Sequence, residues 1–472
     1  MPAVPIRFGP DSNPARSPNV SVGLLTNCFA ENPEDGREEL PIYSGPGLVE
    51  FSTPAVVGGV RGIIAIGNVM YAVVGEQLFK ILSSGAANSL GTVLGQTTVI
   101  MSVNRKAPFQ QITIVTDNEV YHLENDVLTL MADLDLPAGV NSCAFIDGYT
   151  IYLLNDGVFY ISAINDSASV NALDFAEAEG SPDNGVRVFV NGREVMIFGE
   201  TTTEIWVNTG AAEFPFQRMQ GGFMLVGCLS KHSPASIDNT VFWVSNKGHV
   251  VRAEGNVGKR ISNHGVERDI QAARDAGNAS LIEAFVWTDG GHEFYQLTSP
   301  LWTWVYDAAT GFWAKRESYG GGRSIIKQYV SAFNKHIVGD AATNKLYQMT
   351  FDAHDEAGQH MITAVRSQTV DAVPYDLQWN ALVIDMELGV GRGSTVHSTE
   401  PKIMLRWSDD GGRTWSAERE WPLGKQSEFT GEIRFNRLGR SKGQGRVFEL
   451  RCSAPVRRMF IKARAEVERL AA

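Results

Sequence analysis

The sequence predicts an all-β protein: a β-propeller of about seven blades, with six as the alternative count, short helical insertions and a C-terminal β-sandwich-like domain. Three observations predict it. Gly is abundant at 47 residues and aromatics reach 10%, which suits many short strands joined by tight turns, since Gly supplies positive φ and aromatic rings favour pleated surfaces. A strand–turn–strand pattern recurs from about residue 45 to 355, and after about residue 360 the pattern changes.

Residues 1–45, rich in Pro, Asn, Ser and Glu, read as an extended N-terminal arm ordered by partners or by packing on the body. Residues 46–358 read as the propeller. Its clearest hairpins are NVMYAVVGEQLFKIL (68–82), QITIVTDNEVYHL (111–123), DGYTIYLLNDGVFYIS (147–162) and NGREVMIFGETTTEIWV (191–207). NTVFWVSNKGHVVRA (239–253), SPLWTWVYDAATGFWAKRE (299–317) and NKHIVGDAATNKLYQMTF (334–351) follow. The second strands open near Leu78, Val120, Val158, Glu204, His249, Phe312 and Leu346, in steps of 34–46 residues with one of 63. A hairpin period of about 40–50 residues marks propeller blades, none of which can bury both its faces alone. The turns NDG, NKG, GD and TG are hairpin punctuators.

The long step holds a helix in NHGVERDIQAARDAGN, where Val266, Ile270 and Ala273 recur at helical spacing and Gly277 ends it. A shorter helix is expected at ALDFAEAE, 172–179. Residues 359–371 read as a linker and 372–472 as the sandwich-like domain. That domain takes its strands from VPYDLQWNALVIDMELGV, the hairpin KIMLRWSDDGGRTWSAEREW, RVFELRCS and RRMFIKAR.

Composition narrows the function. With 43% hydrophobic and 20% charged residues the chain folds around a sizeable core. The best apolar run, 56–75, is interrupted by Arg61 and carries five Gly, so no membrane span is expected. The N-terminus lacks the apolar core of a secretory signal. Cys28, Cys143, Cys228 and Cys452 lie at least 80 residues apart, which excludes a CxxC knuckle and reads as four buried thiols of a reducing cytoplasm. Net charge is −12 but uneven: residues 401–472 hold 16 Lys and Arg against 9 Asp and Glu, leaving residues 1–400 at −19. An acidic body does not grip phosphates, so duplex DNA meeting it slides past.

Ser408-Asp409-Asp410-Gly411-Gly412-Arg413-Thr414-Trp415 matches the Asp-box pattern of sialidases and other β-proteins. It is read as a structural turn: Asp410 bonds turn N–H groups, Gly412 permits positive φ and Trp415 packs beneath, with Ser408 and Thr414 completing the motif. In the basic C-terminal domain, Arg434, Arg437, Arg440 and Arg446 are candidate protein-interface residues, because Arg forks pair with carboxylates at interfaces. Gly439-Arg440-Ser441-Lys442-Gly443 satisfies G-x-S-x-G, but a basic stretch precedes it and a strand follows, so it reads as a loop rather than a nucleophile elbow. His354, Asp355, Glu356 and His360 fit no zinc spacing and read as a solvated linker. His232, His249, His264 and His292 read as surface residues. Trp287, Phe294, Trp302, Trp304, Phe312 and Trp313 read as blade packing rather than a carbohydrate platform. No catalytic residue, metal site or cofactor is predicted.

Three segments together resemble one family. They are GETTTEIWVNTGAAEFPFQRMQGGFMLVGC (199–228) running on to NTVFWVSNKGHVVRA and KRISNHGVERDI; the pair VYDAATGFWAKRE and VGDAATNKLYQM; and LRWSDDGGRTWSAEREWPLG followed by RFNRLGRSKGQGRVFELRCSAPVRRMFIKARAEV. Their order, over roughly residues 40–470, is similar to the packaged-DNA stabilisation or tail nozzle proteins of short-tailed phages, P22-like tail accessory factors. The resemblance implies a non-enzymatic virion tail protein assembled in the host cytoplasm. It implies a homo-oligomeric, six-fold ring below the portal and the tail adaptor or connector ring, closed by needle, plug or fibre proteins. Genomic double-stranded DNA would be retained and would pass the lumen without specific binding. KGQG at 442–445 departs from the shorter turn expected there. The alternative class is a propeller glycosidase or lyase acting on host polysaccharide, which requires paired carboxylates at a blade-top cleft.

Overall fold

The computed structural model describes residues 3–17, 21–32, 40–117, 119–178, 180, 183–372, 375–393, 396–442 and 445–470. Seven four-stranded antiparallel units form the propeller. Blades 1 to 6 run in chain order, within Val60–Thr92, Ile100–Leu130, Val140–Glu177, Gly185–Met224, Ala235–Arg260 and Glu283–Lys315. Blade 7 takes three strands from Ile326–Thr350 and its outermost strand, Gly47–Ser52, from the other end of the chain. The first strand of each blade lies innermost, and blade 7 packs on blade 1 through Ile337, Leu346, Val60 and Met70, closing the circle.

The alternation of a strand explains why a closed circle of blades is stable. Successive side chains point to opposite faces, so each blade feeds two seams. Met196 and Phe198 enter the seam with Val241 and Trp243 of blade 5, while Val195 and Ile197 enter the seam with Ile151 and Phe159 of blade 3. Phe242 and Val244 serve the next seam, against Tyr295 and Trp304. Strands buried on both faces carry unbroken apolar runs such as Val69–Val74 and Ile151–Leu154. Burying one such side chain contributes about 1.5–3 kcal/mol. The turns follow their residue types: Asn125–Asp126 and Asp238–Asn239 both take positive φ, as two-residue hairpin loops demand. Phe333 also sits at φ 56, beside Phe51 at a ring separation of 5.9 Å.

The helix His264–Asp275 lies where its pattern placed it. Asn263 caps it by accepting from the Gly265 and Val266 N–H groups at 3.0 and 3.1 Å. Val266, Ile270 and Ala273 enter the seam between blades 5 and 6. ALDFAEAE is not a helix: residues 172–177 end the 12-residue outer strand Asp166–Glu177, paired on Val158–Ala163, with Phe175 against Tyr160. Its local helix propensity loses to the open edge of blade 3. A second correction concerns blade 6. The hairpin at 299–317 supplies strands three and four, Thr303–Asp307 and Phe312–Lys315, where the other hairpins supply two and three. The long step therefore contains a strand as well as the helical insertion.

The sandwich is woven from both ends of the chain. One sheet continues blade 6 outward through Leu24–Thr26, Thr363–Arg366, Val447–Cys452, Lys402–Ser408 and Arg419–Pro422. The other holds Ile433–Ser441, Asp376–Met386 and Met459–Leu470, the last flanked by Ala3–Ile6 and by the hairpin Cys28–Ala30/Ile42–Ser44. Trp379, Leu382, Leu405, Phe435, Phe448 and Leu450 fill the space between.

Candidate functional site

Two places combine charge with geometry: the propeller axis and the basic sandwich. At the axis, Asp117 follows the second strand of blade 2, and Lys231 lies between blades 4 and 5. Their ion pair measures 2.7 Å, with Thr97 bonded to the same carboxylate. Burial works to raise the Asp117 pKa, but the bonds from Lys231 and Thr97 outweigh it and hold the carboxyl below its usual range. Glu283, on the innermost strand of blade 6, bonds Thr98 from the approach to blade 2, Lys327 of blade 7 at 3.3 Å and Gln328 at 3.1 Å. Blades 2 and 5 are not neighbours, and neither are 2 and 6, so these contacts span the central channel. Sequence reasoning missed all four charged residues. Pairs separated by 114 and 185 positions carry no local signal.

In the sandwich, the Asp-box residues form a closed turn. Ser408 Oγ accepts from Gly412 N–H at 2.8 Å and donates to Asp410 Oδ1 at 2.7 Å. Asp410 accepts from the N–H groups of Arg413 and Thr414 and from Thr414 Oγ1 at 2.6 Å. The bonds from Ser408 and Thr414 hold its carboxyl well below the usual range. Gly412 takes φ +89, and Trp415 Nε1 donates to its carbonyl at 3.1 Å. Trp415 packs under Arg366 and Arg406, 5.0 and 4.6 Å from its ring, and both guanidiniums grip the buried Glu449.

The four candidate interface arginines diverge. Arg434 bonds Glu466 at 2.6 Å, and Arg440 bonds Asp376 at 2.5 Å, both on the surface. Arg437 is exposed, at φ 58 in a bulge of the edge strand Ile433–Ser441. Arg446 departs from the expectation: its side chain is 1% exposed, so it reaches no partner. It bonds Asp409 through Nε and Nη2 at 2.6 and 2.8 Å, bonds Leu438 O at 2.6 Å, and lies over the rings of Trp379 and Trp407. The strand Val447–Cys452 starts beneath the Asp-box turn, so the residue before it points inward. Gly443, and with it the centre of KGQG, lies outside the described residues; Ser441 Oγ accepts from Trp379 Nε1 at 2.8 Å.

In the segment read as a solvated linker, His354 and Glu356 are buried instead, Asp355 is half-buried and His360 is exposed as expected. Leu48 N–H and C=O bond Asp355 O and Ala357 N, adding residues 355–357 beside the outer strand of blade 7. Glu356 is buried 3.7 Å from buried Arg316, and Arg458 donates to His354 O at 2.7 Å. Burial raises the Glu356 pKa against the pull of Arg316, and burial with nearby arginines drives His354 down to about 4. His292 is likewise internal, bonded to Asp307 at 2.7 Å; His264 is exposed, and His232 and His249 are half-buried. Trp287, Phe294, Trp302, Trp304 and Trp313 are core residues, and Phe312 is half-buried. A cleft of about 450 Å³ opens between propeller and sandwich, lined by Asn27, Glu317, Tyr319, Arg366, Arg406 and Glu449. Among the described residues no group of three His, Cys, Asp or Glu side chains is placed to hold a metal, and no helix is long and apolar enough to cross a membrane. All four cysteines are free and buried.

Comparison with known proteins gives two family matches, described as bacteriophage P22 Gp10, beta-propeller, over residues 4–354, and bacteriophage P22 Gp10, beta-sandwich, over residues 373–468. No curated protein matches the chain. Solved structures similar to it include the WD40 propeller domain of Doa1, at 12% identity and TM-score 0.42, covering 65% of this chain and 97% of that one. BamB from Moraxella catarrhalis matches at 10% and 0.39, covering 66% and 98%. The computationally designed Ika8 protein matches at 12% and 0.39, covering 64% and 99%.

Proposed function

Because the chain belongs to the bacteriophage P22 Gp10 family of phage tail structural proteins, we propose that it forms the tail nozzle, a ring that retains packaged DNA and lets it pass on ejection. The role is structural rather than enzymatic. Copies of the chain, six in the complete ring, sit below the portal and adaptor, with needle, plug or fibre proteins closing the far end. The ring assembles on the virion tail in the host cytoplasm.

The single observation that carries this reading beyond the family match is the bridged propeller axis. Lys231–Asp117 and the Glu283 cluster cross the channel of each propeller, so a duplex cannot thread one chain without breaking its seams. The conduit therefore runs between copies. The acidic balance of residues 1–400 supports a lumen walled by propellers, since like charge repels phosphates and lowers friction. Arg437, exposed on the sandwich edge, is left to meet carboxylates of neighbouring proteins.

Cryo-microscopy of the intact tail tests the proposal. The expected map has a six-fold ring below the adaptor, duplex density along the ring axis, and none along the axes of the individual propellers. A copy placed away from the DNA path, as a peripheral fibre or enzyme would be, overturns it.

A further inference from the structure

Large apolar side chains stand exposed on the outer rim of blade 3. Leu134, in the connection from blade 2, is 96% exposed, Leu173 is 81% exposed and Phe175 is 47% exposed. Hydrogen bonds hold them on one surface. Asp133 Oδ2 accepts from Val170 N–H at 2.9 Å, which fastens the turn carrying Leu134 to the outer strand Asp166–Glu177. Val170 lies opposite Ser162 and Phe175 opposite Tyr160, so residues 171–174 bulge from that strand. Asn171 Oδ1 accepts from Leu173 N–H at 3.0 Å within the bulge. Apolar side chains gathered in this way mark a contact surface.

The surface is strongly acidic. Residues 107–186, from the second strand of blade 2 to the end of blade 3, hold 13 Asp and Glu and no Lys or Arg. Lys80, Lys106 and Lys231 reach in from outside this stretch to pair with Asp126, Glu124 and Asp117. Asp133, Asp135 and Asp174, which flank Leu134 and Leu173, make no ion pair with Lys or Arg among the described residues.

The same chain carries the complement. On the outer sheet of the sandwich, Leu377 lies opposite both Arg469 and Ser441, and Gln378 lies opposite Arg440. Arg440 and Arg469 therefore sit at one end of that sheet, with Arg437 farther along the edge strand. Tyr375 is 46% exposed there, with the Arg469 guanidinium 6.0 Å from its ring. Asp376 pairs with Arg440, and Glu468 lies opposite Gln378. Arg437 and Arg469 make no ion pair among the described residues.

We propose that the rim carrying Leu134, Leu173 and Phe175 docks on the basic sandwich end of the next copy, formed by Tyr375, Arg437, Arg440 and Arg469. Tyr and Arg are common interface anchors, and the three aspartates bring the charge that these arginines lack. The two surfaces differ, so the contact is head-to-tail, the kind that closes into a ring when its rotation allows. The inference rests on the ring reading and adds which surfaces join. Of the −19 on residues 1–400, −13 lies in this stretch and −6 elsewhere, so an acidic lumen does not depend on it.

Photo-crosslinking in intact tails tests the contact. Benzoylphenylalanine is placed at position 134 and, separately, at position 173, and irradiated tails are resolved on denaturing gels and by mass spectrometry. The expected product joins two copies of this chain, with the partner peptide drawn from residues 372–472. Leu134→Asp and Arg469→Glu are each expected to lower the yield of complete rings about tenfold, while the free chains melt as wild type does, since both positions are exposed. Products that join either position to residues 1–371 of a second copy, or to another tail protein, overturn the docking and leave the ring standing. Wild-type ring yield from both variants does the same, as does a tail map that shows the ring while no product contains a second copy. A map without a ring of copies removes the ring reading and this contact together.

Discussion

Truncating Arg446 separates a core arginine from an interface arginine. In Arg446→Ala the bidentate pair with Asp409 is lost; that carboxylate is 41% exposed, so the pair is discounted to about 1 kcal/mol. Leu438 O loses a buried donor, which costs about 1–3 kcal/mol. Packing against Trp379 and Trp407 adds about 0.5–1 kcal/mol for each ring. Together the loss is about 3–6 kcal/mol. Urea unfolding read by tryptophan fluorescence measures it as a fall in midpoint at constant slope. Arg437→Ala, which removes an exposed side chain, stays within about 0.5 kcal/mol of wild type. The reasoning fails if Arg446→Ala is as stable as wild type, or if Arg437→Ala costs as much as Arg446→Ala.

Three further outcomes follow from the same geometry. An added Cβ at Gly339 would sit 2.5 Å from Val60 Cγ1 and 2.6 Å from Val60 Cβ in the seam that closes the circle, so Gly339→Ala should cost about 1–3 kcal/mol in calorimetry. The bond to Asp307 outweighs burial and raises the His292 pKa, so its contribution is full below about pH 6.5 and is lost as pH rises through the folded value; melting from about pH 5 to 9 should show this decline in wild type and not in His292→Asn. The four buried thiols should stay unreactive to a disulfide reagent in the native chain and titrate as four in denaturant.

The propeller was legible because its signal is local and repeated. Two-residue turns and apolar strands such as Val69–Val74 mark each blade in turn. The match between blade 7 and Gly47–Ser52 was not, because a strand carries no label for a partner some 300 positions away. ALDFAEAE misled for the opposite reason: Ala and Glu favour helices locally, while the edge of blade 3 supplies backbone partners that only the fold reveals. The Asp-box turn was readable because its bonds lie within the motif. Arg446 was not, because its burial depends on Trp379, Asp409 and Leu438 arriving from three other strands and turns. Glu356 and His354 illustrate the same limit of local reading: polar residues between domains look solvated until the strand at Leu48 covers them.

The borrowed outer strand of blade 7 also sets a timetable for biosynthesis. Gly47–Ser52 leaves the ribosome early, while its partner Leu346–Thr350 follows nearly 300 residues later, roughly 15–60 s at about 5–20 residues per second. Ala3–Ile6 waits longer still, for Ala463–Glu466. Until then both segments are unpaired edges of the kind that seek any strand within reach. Such long-range pairing makes folding slow, and it means that the propeller closes only after Leu346–Thr350 has emerged and the sandwich only after Met459–Leu470 has.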